Sequence, residues 1–295
     1  MRDDAPSRTA AFVAAARQLG QLLPEDARLV DDPYGAAFTS TRAAALLERE
    51  APRLGPVASL PGVKQWVLYM QVRTRIIDDA LRDFLKSGGR QVVLLGAGYD
   101  CRALRMPELA DANIFEVDHP ATQSHKKRVL DDLGTDSPVT YVTWDFEARP
   151  LDDLPEHLAD SGLDRADPVF TIWEGVTMYL TEAAIDASLR AIRAWSYKGS
   201  QLAMTYFAKS RIAQPSLIMR AMKAVVDAFG EPWKFGWQPD ELPAYLAERN
   251  WELVRDVSMA DAAQQLLPAR FAASLVDPDK RFALAAAPES LAVAR

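Results

Sequence analysis

QVVLLGAGYDCRALRMPELADANIFEVDHP, the stretch from Gln91 to Pro120, carries the fold in its spacing. An apolar run, Val92 to Leu95, ends in Gly96-Ala97-Gly98, and a second, Ile114 to Val117, ends in Asp118. A strand, a tight glycine turn, a helix and a strand-end acid about 20 residues later make the nucleotide-binding half of a doubly wound α/β sheet. The glycines let backbone approach a ligand, and the acid is placed to bond a ribose, so the sequence predicts a nucleoside-containing cofactor. Glu116 lies two residues earlier on the same face of the strand but deeper in the sheet, which favours Asp118 for the ribose. A helix cap beside Pro120 is the structural alternative for Asp118.

The residues after the turn bear on which cofactor it is. Where the dinucleotide fingerprint places a third small residue, this chain has Cys101, preceded by Asp100. A free carboxylate there would repel a pyrophosphate at the helix N-terminus. S-adenosylmethionine has no phosphate and carries a cationic amine and a sulfonium, and is preferred to NAD on that ground.

Composition narrows the class. The chain has 295 residues, 49% hydrophobic and 25% charged, which is ordinary for a soluble globular protein with a large core. A net charge of -7 gives no general basic field for nucleic acid or an anionic membrane. The N-terminus MRDDAPSRTA lacks the basic and apolar regions of a signal peptide, and no apolar run reaches the roughly 18 residues needed to span a bilayer. A cytoplasmic protein without nucleic-acid or membrane partners is expected. One cysteine and three histidines, His119, His125 and His157, show no metal-ligand spacing, and no metal is expected.

Along the chain, residues 1–90 read as an N-terminal helical cover. An Ala-rich helix spans Ser7 to Gln21, a loop surrounds Asp31-Asp32-Pro33-Tyr34, and a long helix runs from Val63 to Leu85 before Gly88-Gly89. From residue 91 strands alternate with helices: Gln91 to Leu95, Asn113 to Val117, Val139 to Thr143, Val169 to Trp173 and Gln201 to Phe207. Two more are expected at Trp251 to Ser258 and Arg281 to Ala286. The pattern predicts a Rossmann-like, seven-stranded, mostly parallel sheet of the class I methyltransferase kind, in one domain over 1–295. An insertion at about 208–239 holds an amphipathic helix from Leu217 to Phe229, then EPWKFGWQP with Trp233, Phe235 and Trp237. Those aromatics either pack the insertion onto the sheet or form a substrate lid.

Four further positions carry candidate chemistry. Arg73 shares a helical face with Tyr69, Ile77 and Leu81 and interrupts a stripe that should face the protein, so it needs an anionic partner. That partner is either the methionine carboxylate of the cofactor or a protein carboxylate. Arg75, by contrast, is explained by surface pairs with Asp78 and Asp79. Asp145 and Phe146, after the third strand, offer a carboxylate for the adenine amino group and a wall for its ring; a turn-forming Asp is the alternative. Glu174, after the fourth strand, accepts from the cofactor's ammonium group, acts at the substrate, or merely starts a helix.

LLGAGYDCRALR, FEVDHP and EGVTMYLT, with SRTA, DDPYGAAF and VRTRIIDD upstream, resemble the leucine carboxyl methyltransferase family, including its bacterial members and polyketide carboxyl O-methyltransferases. The resemblance runs from about Ser7 to Leu180 and is weak beyond Ala208. It implies that Arg73 contacts the S-adenosylmethionine carboxylate, Gly96 and the adjoining Gly98 turn lie at the methionine part, Asp118 takes the ribose, Asp145 and Phe146 hold adenine, and Glu174 closes the site. Protein-phosphatase members have a lysine near the start of the first helix, where this chain has Ser7-Arg8, which argues against a protein C-terminus as substrate.

The expected activity is therefore S-adenosylmethionine-dependent O-methylation of a carboxylate on a small metabolite or polyketide. A carboxylate is ionised near pH 7 and demands no general base, whereas a phenol does. Tyr206, at the end of the fifth strand, is a candidate for orienting the acceptor or an ordinary core tyrosine. The competing readings are a phenol or enol O-methyltransferase on an aromatic polyketide, an NAD(P)-dependent oxidoreductase, and an inactive S-adenosylmethionine-binding protein. Neither the acceptor nor the oligomeric state follows from the sequence.

Overall fold

The computed structural model describes residues 7–38, 61–213 and 233–288. Seven strands form one sheet: β1 (Gln91–Leu95), β2 (Asn113–Asp118), β3 (Thr140–Thr143), β4 (Val169–Trp173), β5 (Gln201–Phe207), β6 (Glu252–Ser258) and β7 (Lys280–Ala286), in the order β3-β2-β1-β4-β5-β7-β6. The first five are parallel, and β7 runs antiparallel to both β5 and β6. All five residues of β1 and of β4 are buried, as strands covered on both faces require. The order reverses between β1 and β4, and the carboxyl ends of the strands there open the crevice where such sheets bind ligands.

Two helices of the N-terminal segment lie on one face. α1 (Arg8–Leu19) starts at Ser7, whose hydroxyl accepts from Ala10 N at 3.1 Å, a side-chain cap. α2 (Pro61–Lys86) crosses the sheet with Leu68, Ile77, Leu81 and Phe84 packed against Val92, Phe170 and Ala203. The expected stripe is only part of its surface, because α1 and the C-terminal helix Met259–Leu266 cover the other side. Gln71, Thr74 and Asp78 are consequently buried with the apolar residues. Gln71 accepts from Leu29 N at 2.8 Å and Val30 N at 2.9 Å, tying the N-terminal loop to α2.

The chain between the strands supplies α3 (Arg102–Arg105), α4 (Pro120–Asp132), α5 (Leu154–Asp160) and α6 (Glu182–Trp195). α5, α6 and the segment Leu242–Ala247 build the second core, in which Trp173, Trp195, Tyr206 and Trp251 are at most 1% exposed. The amphipathic helix expected from Leu217 to Phe229 lies outside the described residues. Of the insertion's aromatics, Trp237 meets Tyr206 edge to face at 5.5 Å and Phe235 at 4.9 Å, and Trp233 meets Phe207 at 5.0 Å. Lys234 N donates to Met178 O at 2.7 Å, so this stretch is fastened to the loop after β4.

Candidate active site

The turn after β1 is built for close approach. Gly96 has φ +74° and Gly98 φ +54°, the left-handed region that side chains disfavour. Gly96 N and Ala97 N both donate to Val117 O, at 2.9 and 3.1 Å, which folds the turn against the end of β2. A Cβ on Gly96 would sit 2.9 Å from Val176 Cγ2, and one on Gly98 3.2 Å from Ala10. There is no room for a side chain between the turn and the loop after β4. At the end of β2 the Asp118 carboxylate accepts from Gly98 N and, at 2.6 Å, from His119 N. Burial raises its pKa, against the pull of those two donors.

The N-terminal segment clamps this turn from outside. Arg17 of α1 donates to the Tyr99 carbonyl and pairs through Nε with Asp32 at 3.0 Å, and Phe38 stacks on Tyr99 with centroids 4.7 Å apart. The Asp31-Asp32-Pro33-Tyr34 loop thus acts on the turn through one buried arginine.

Beneath the turn lies a charge network. Arg73 Nε meets Glu174 Oε1 at 2.7 Å, and Arg102 Nη2 meets Glu174 Oε2 at 2.9 Å. Arg102 also donates to Asp78 at 2.7 Å and pairs with Asp100, while Arg105 grips Asp78 at 2.7 and 2.9 Å. Three guanidiniums face three carboxylates, which is the compensation buried charges need. Burial pushes Glu174 upward, but Arg73 and then Arg102 hold its carboxyl below the usual range. Burial likewise opposes the ionisation of Asp100, yet Arg102 foremost brings it down to about 2.

This corrects one step of the sequence reasoning. Asp100 points into the protein, where Arg102 neutralises it, so it is not a free charge facing a pyrophosphate. Asp78 also departs from expectation: it serves Arg102 and Arg105, and among the described residues Arg75 forms its ion pair with Asp79, at 2.8 Å. Arg73 is inward, 5% exposed, and its anion in this structure is Glu174.

The remaining expected residues divide. Asp145 shapes the turn after β3, accepting from Glu147 N at 2.9 Å and Ala148 N at 3.2 Å, with its other oxygen 4.0 Å from His119 Nε2 at the β2 edge. Phe146 beside it is exposed. Tyr206 is not brought to the cluster: its side chain lies in the second core, and its hydroxyl donates to Asp256 at 2.9 Å and accepts from Arg281 at 3.0 Å. Trp233 and Trp237 are buried and Phe235 partly so.

Known proteins settle the class of this arrangement. Residues 10–193 match the leucine carboxyl methyltransferase family. The chain belongs to that family. A relative in Mycobacteroides abscessus, assigned as an S-adenosyl-L-methionine-dependent methyltransferase, is 32% identical over 266 residues, covering 86% of this chain and 84% of its own. Another with the same assignment, from Mycobacterium sp. strain JLS, is 34% identical over 253 residues, covering 83% and 82%. Among solved structures, a DUF574 family protein from Streptomyces avermitilis superposes with TM-score 0.59 at 17% identity, over 93% of this chain and 97% of that one. A Thermobifida fusca protein assigned as a methyltransferase gives TM-score 0.56 at 19% identity, over 92% and 97%. These two likenesses show the fold, which is the class I methyltransferase fold. The protein is an S-adenosylmethionine-dependent methyltransferase.

The residues present suit that cofactor. The turn is close backbone with no side chains of its own at Gly96 and Gly98, Asp118 offers a carboxylate at the strand end, and the fork of Arg73 lies against Gly175, whose Cβ would be 3.5 Å from Nη1. Arg102, Arg105 and Asp78 escaped the sequence reading because their pairing depends on chain crossings that no local pattern reports. The one local hint was RALR directly after the turn, two arginines a helical step apart beside Asp100.

Proposed function

We propose that this methyltransferase forms a methyl ester on a carboxylate of a small metabolite or polyketide, in the cytoplasm. The family match across residues 10–193 carries the reading, because this span contains the glycine turn, Asp118, Asp145 and Glu174 in one ordered set. In the proposed site Arg73 receives the methionine carboxylate through the guanidinium edge not engaged by Glu174. Gly96 and Gly98 admit the methionine portion, Asp118 accepts from the ribose, Asp145 and Phe146 flank adenine, and Glu174 fixes Arg73 while keeping lone pairs for the ammonium group.

The cofactor supplies a methyl group on a cationic sulfur. An acceptor carboxylate oxygen held in line with that methyl would form the new C–O bond with its own electron pair, the pair of the broken S–CH3 bond remaining with sulfur. The products are a methyl ester and S-adenosylhomocysteine. No proton is released from an ionised acid, so the protein's part is alignment and exclusion of water.

The product decides between acceptors. Incubation with cofactor and candidate acids should yield a methylated compound cleaved by mild alkali, detected by mass spectrometry before and after treatment. An alkali-stable aryl methyl ether would replace the carboxylate reading with the phenol one.

A further inference from the structure

Lys280 opens β7 and pairs in register with Phe207, the last residue of β5. Because the two strands are antiparallel, the first residue of β7 lies at the carboxyl edge of the sheet, the edge that holds Asp118 and Glu174. Its Nζ lies 4.1 Å from the centroid of the Tyr69 ring and 5.7 Å from that of Trp66. The same Tyr69 ring has the Arg73 guanidinium 5.6 Å from its centroid, so one aromatic separates the cofactor-side cation from the lysine. Trp66 continues the wall to Phe12, stacked at 5.2 Å and 54% exposed, where the surface meets water.

What distinguishes this amine is its company. Among the described residues it makes no hydrogen bond or ion pair, and the nearby Asp277 carboxylate is taken by Arg211 and by Asp279 N at 3.0 Å. Asp279 in turn accepts from Ser210 at 2.9 Å. Among the described residues, the charged or titratable groups acting on the amine are Tyr69 and Arg73 from α2, Arg211 after β5, and Asp277 before β7. Burial foremost, with Arg211 and Arg73, pushes its pKa down to about 7 against the pull of Asp277. Among the described residues no carboxylate pairs with this amine, and Asp277, the acid that pulls on it, is already held by Arg211.

We propose that Lys280 anchors the methyl acceptor: its ammonium group receives a carboxylate whose apolar or aromatic body lies along Tyr69 and Trp66. The inference rests on the methyl-transfer reading of the same edge and names the acceptor as an anion with an apolar body. An arriving carboxylate provides the missing counter-charge and raises the amine's pKa. Anion binding is then strong while the free amine is protonated, and weakens as pH rises past about 7.

Calorimetry on the protein saturated with S-adenosylhomocysteine tests this with matched pairs: benzoate and benzamide, phenylacetate and phenylacetamide, 2-naphthoate and 2-naphthamide. Near pH 6 at least one acid should bind about tenfold tighter than its amide, and the advantage should largely vanish near pH 9. Lys280→Met should abolish it near pH 6 with S-adenosylhomocysteine affinity within about twofold of the parent. Lys280→Arg, always charged, should retain it near pH 9. No acid preference in any pair, or one that survives Lys280→Met, overturns the inference. So does turnover that rises through pH 7 in the parent and loses that rise in Lys280→Met, since that marks a general base for a phenol. If Lys280→Met does not fold, the parent's pH dependence and the arginine variant decide. An alkali-labile product with an unchanged Lys280→Met preference removes only the anchor; an alkali-stable product with the preference lost removes only the ester reading.

Discussion

At the residue scale, two arginines two positions apart on one helix show how far burial separates them. Arg73 is 5% exposed and pairs with Glu174, whereas Arg75 is about 38% exposed in its side chain and pairs with Asp79 one turn on. Removing Arg73 leaves Glu174 buried with Arg102 alone, and breaking a buried pair typically costs about 3–5 kcal/mol. Removing Arg75 breaks a surface i,i+4 pair worth about 0.3–0.5 kcal/mol. Arg73→Ala should therefore lower stability by several kcal/mol in urea unfolding and weaken S-adenosylhomocysteine binding. Arg75→Ala should do neither beyond about 0.5 kcal/mol. To separate the two effects of Arg73, the Arg73→Ala/Glu174→Gln pair should recover part of the stability, because the buried carboxylates no longer outnumber the guanidiniums, without recovering affinity. Equal losses from Arg73→Ala and Arg75→Ala would mean that Arg73 holds neither the network nor the cofactor.

At the scale of elements, the turn after β1 is fixed by backbone conformation as much as by contacts. Gly96 combines φ +74° with a Cβ position 2.9 Å from Val176, while Gly134, at the end of α4, has φ +62° and open space. Alanine at either site incurs the left-handed penalty of about 1–2 kcal/mol. Only at Gly96 must the Val176 side chain also shift. Gly96→Ala should thus lower the thermal midpoint more than Gly134→Ala and reduce S-adenosylhomocysteine affinity, which Gly134→Ala should leave intact; equal behaviour of the two would show that the turn is not tight. The same element explains what the sequence discloses. β1, β4 and β5 occupy the residues that their apolar runs mark, and α2 extends the expected helix by two residues at its start and one at its end. These features depend on local periodicity. The surroundings of Asp78 and Lys280 do not, because each is fixed by a strand or helix distant in the chain. A lysine at the head of KRFALAA reads as a solvated strand end until β5 and α2 are laid beside it.

Over the whole molecule, the charge network under the turn links fold and site, and it should be visible in the response to acid. A carboxyl whose pKa is lower folded than unfolded contributes stability above its unfolded pKa and loses it as pH falls through the folded one. Asp100, at about 2 in the fold against an ordinary 3.8, and Glu174, held below 4.5, both have this sign. Glu116 has the opposite sign: burial raises it despite Lys126 Nζ at 2.6 Å, so its protonation favours the folded state. The net acid profile mixes the two, and a difference between variants isolates one. Urea unfolding of the parent and of Asp100→Asn should show a stability gap near pH 7 that persists to about pH 5 and closes between about pH 4 and pH 2, where the parent's Asp100 takes up its proton in either state. The fall in the parent below pH 4 should be correspondingly shallower in Asp100→Asn. A gap that stays constant down to pH 2 would mean that Asp100 acts through its hydrogen bonds to Arg102, not through its charge. A gap that opens as pH falls would reverse the sign assigned to the network and with it the account of why Arg102 is buried there.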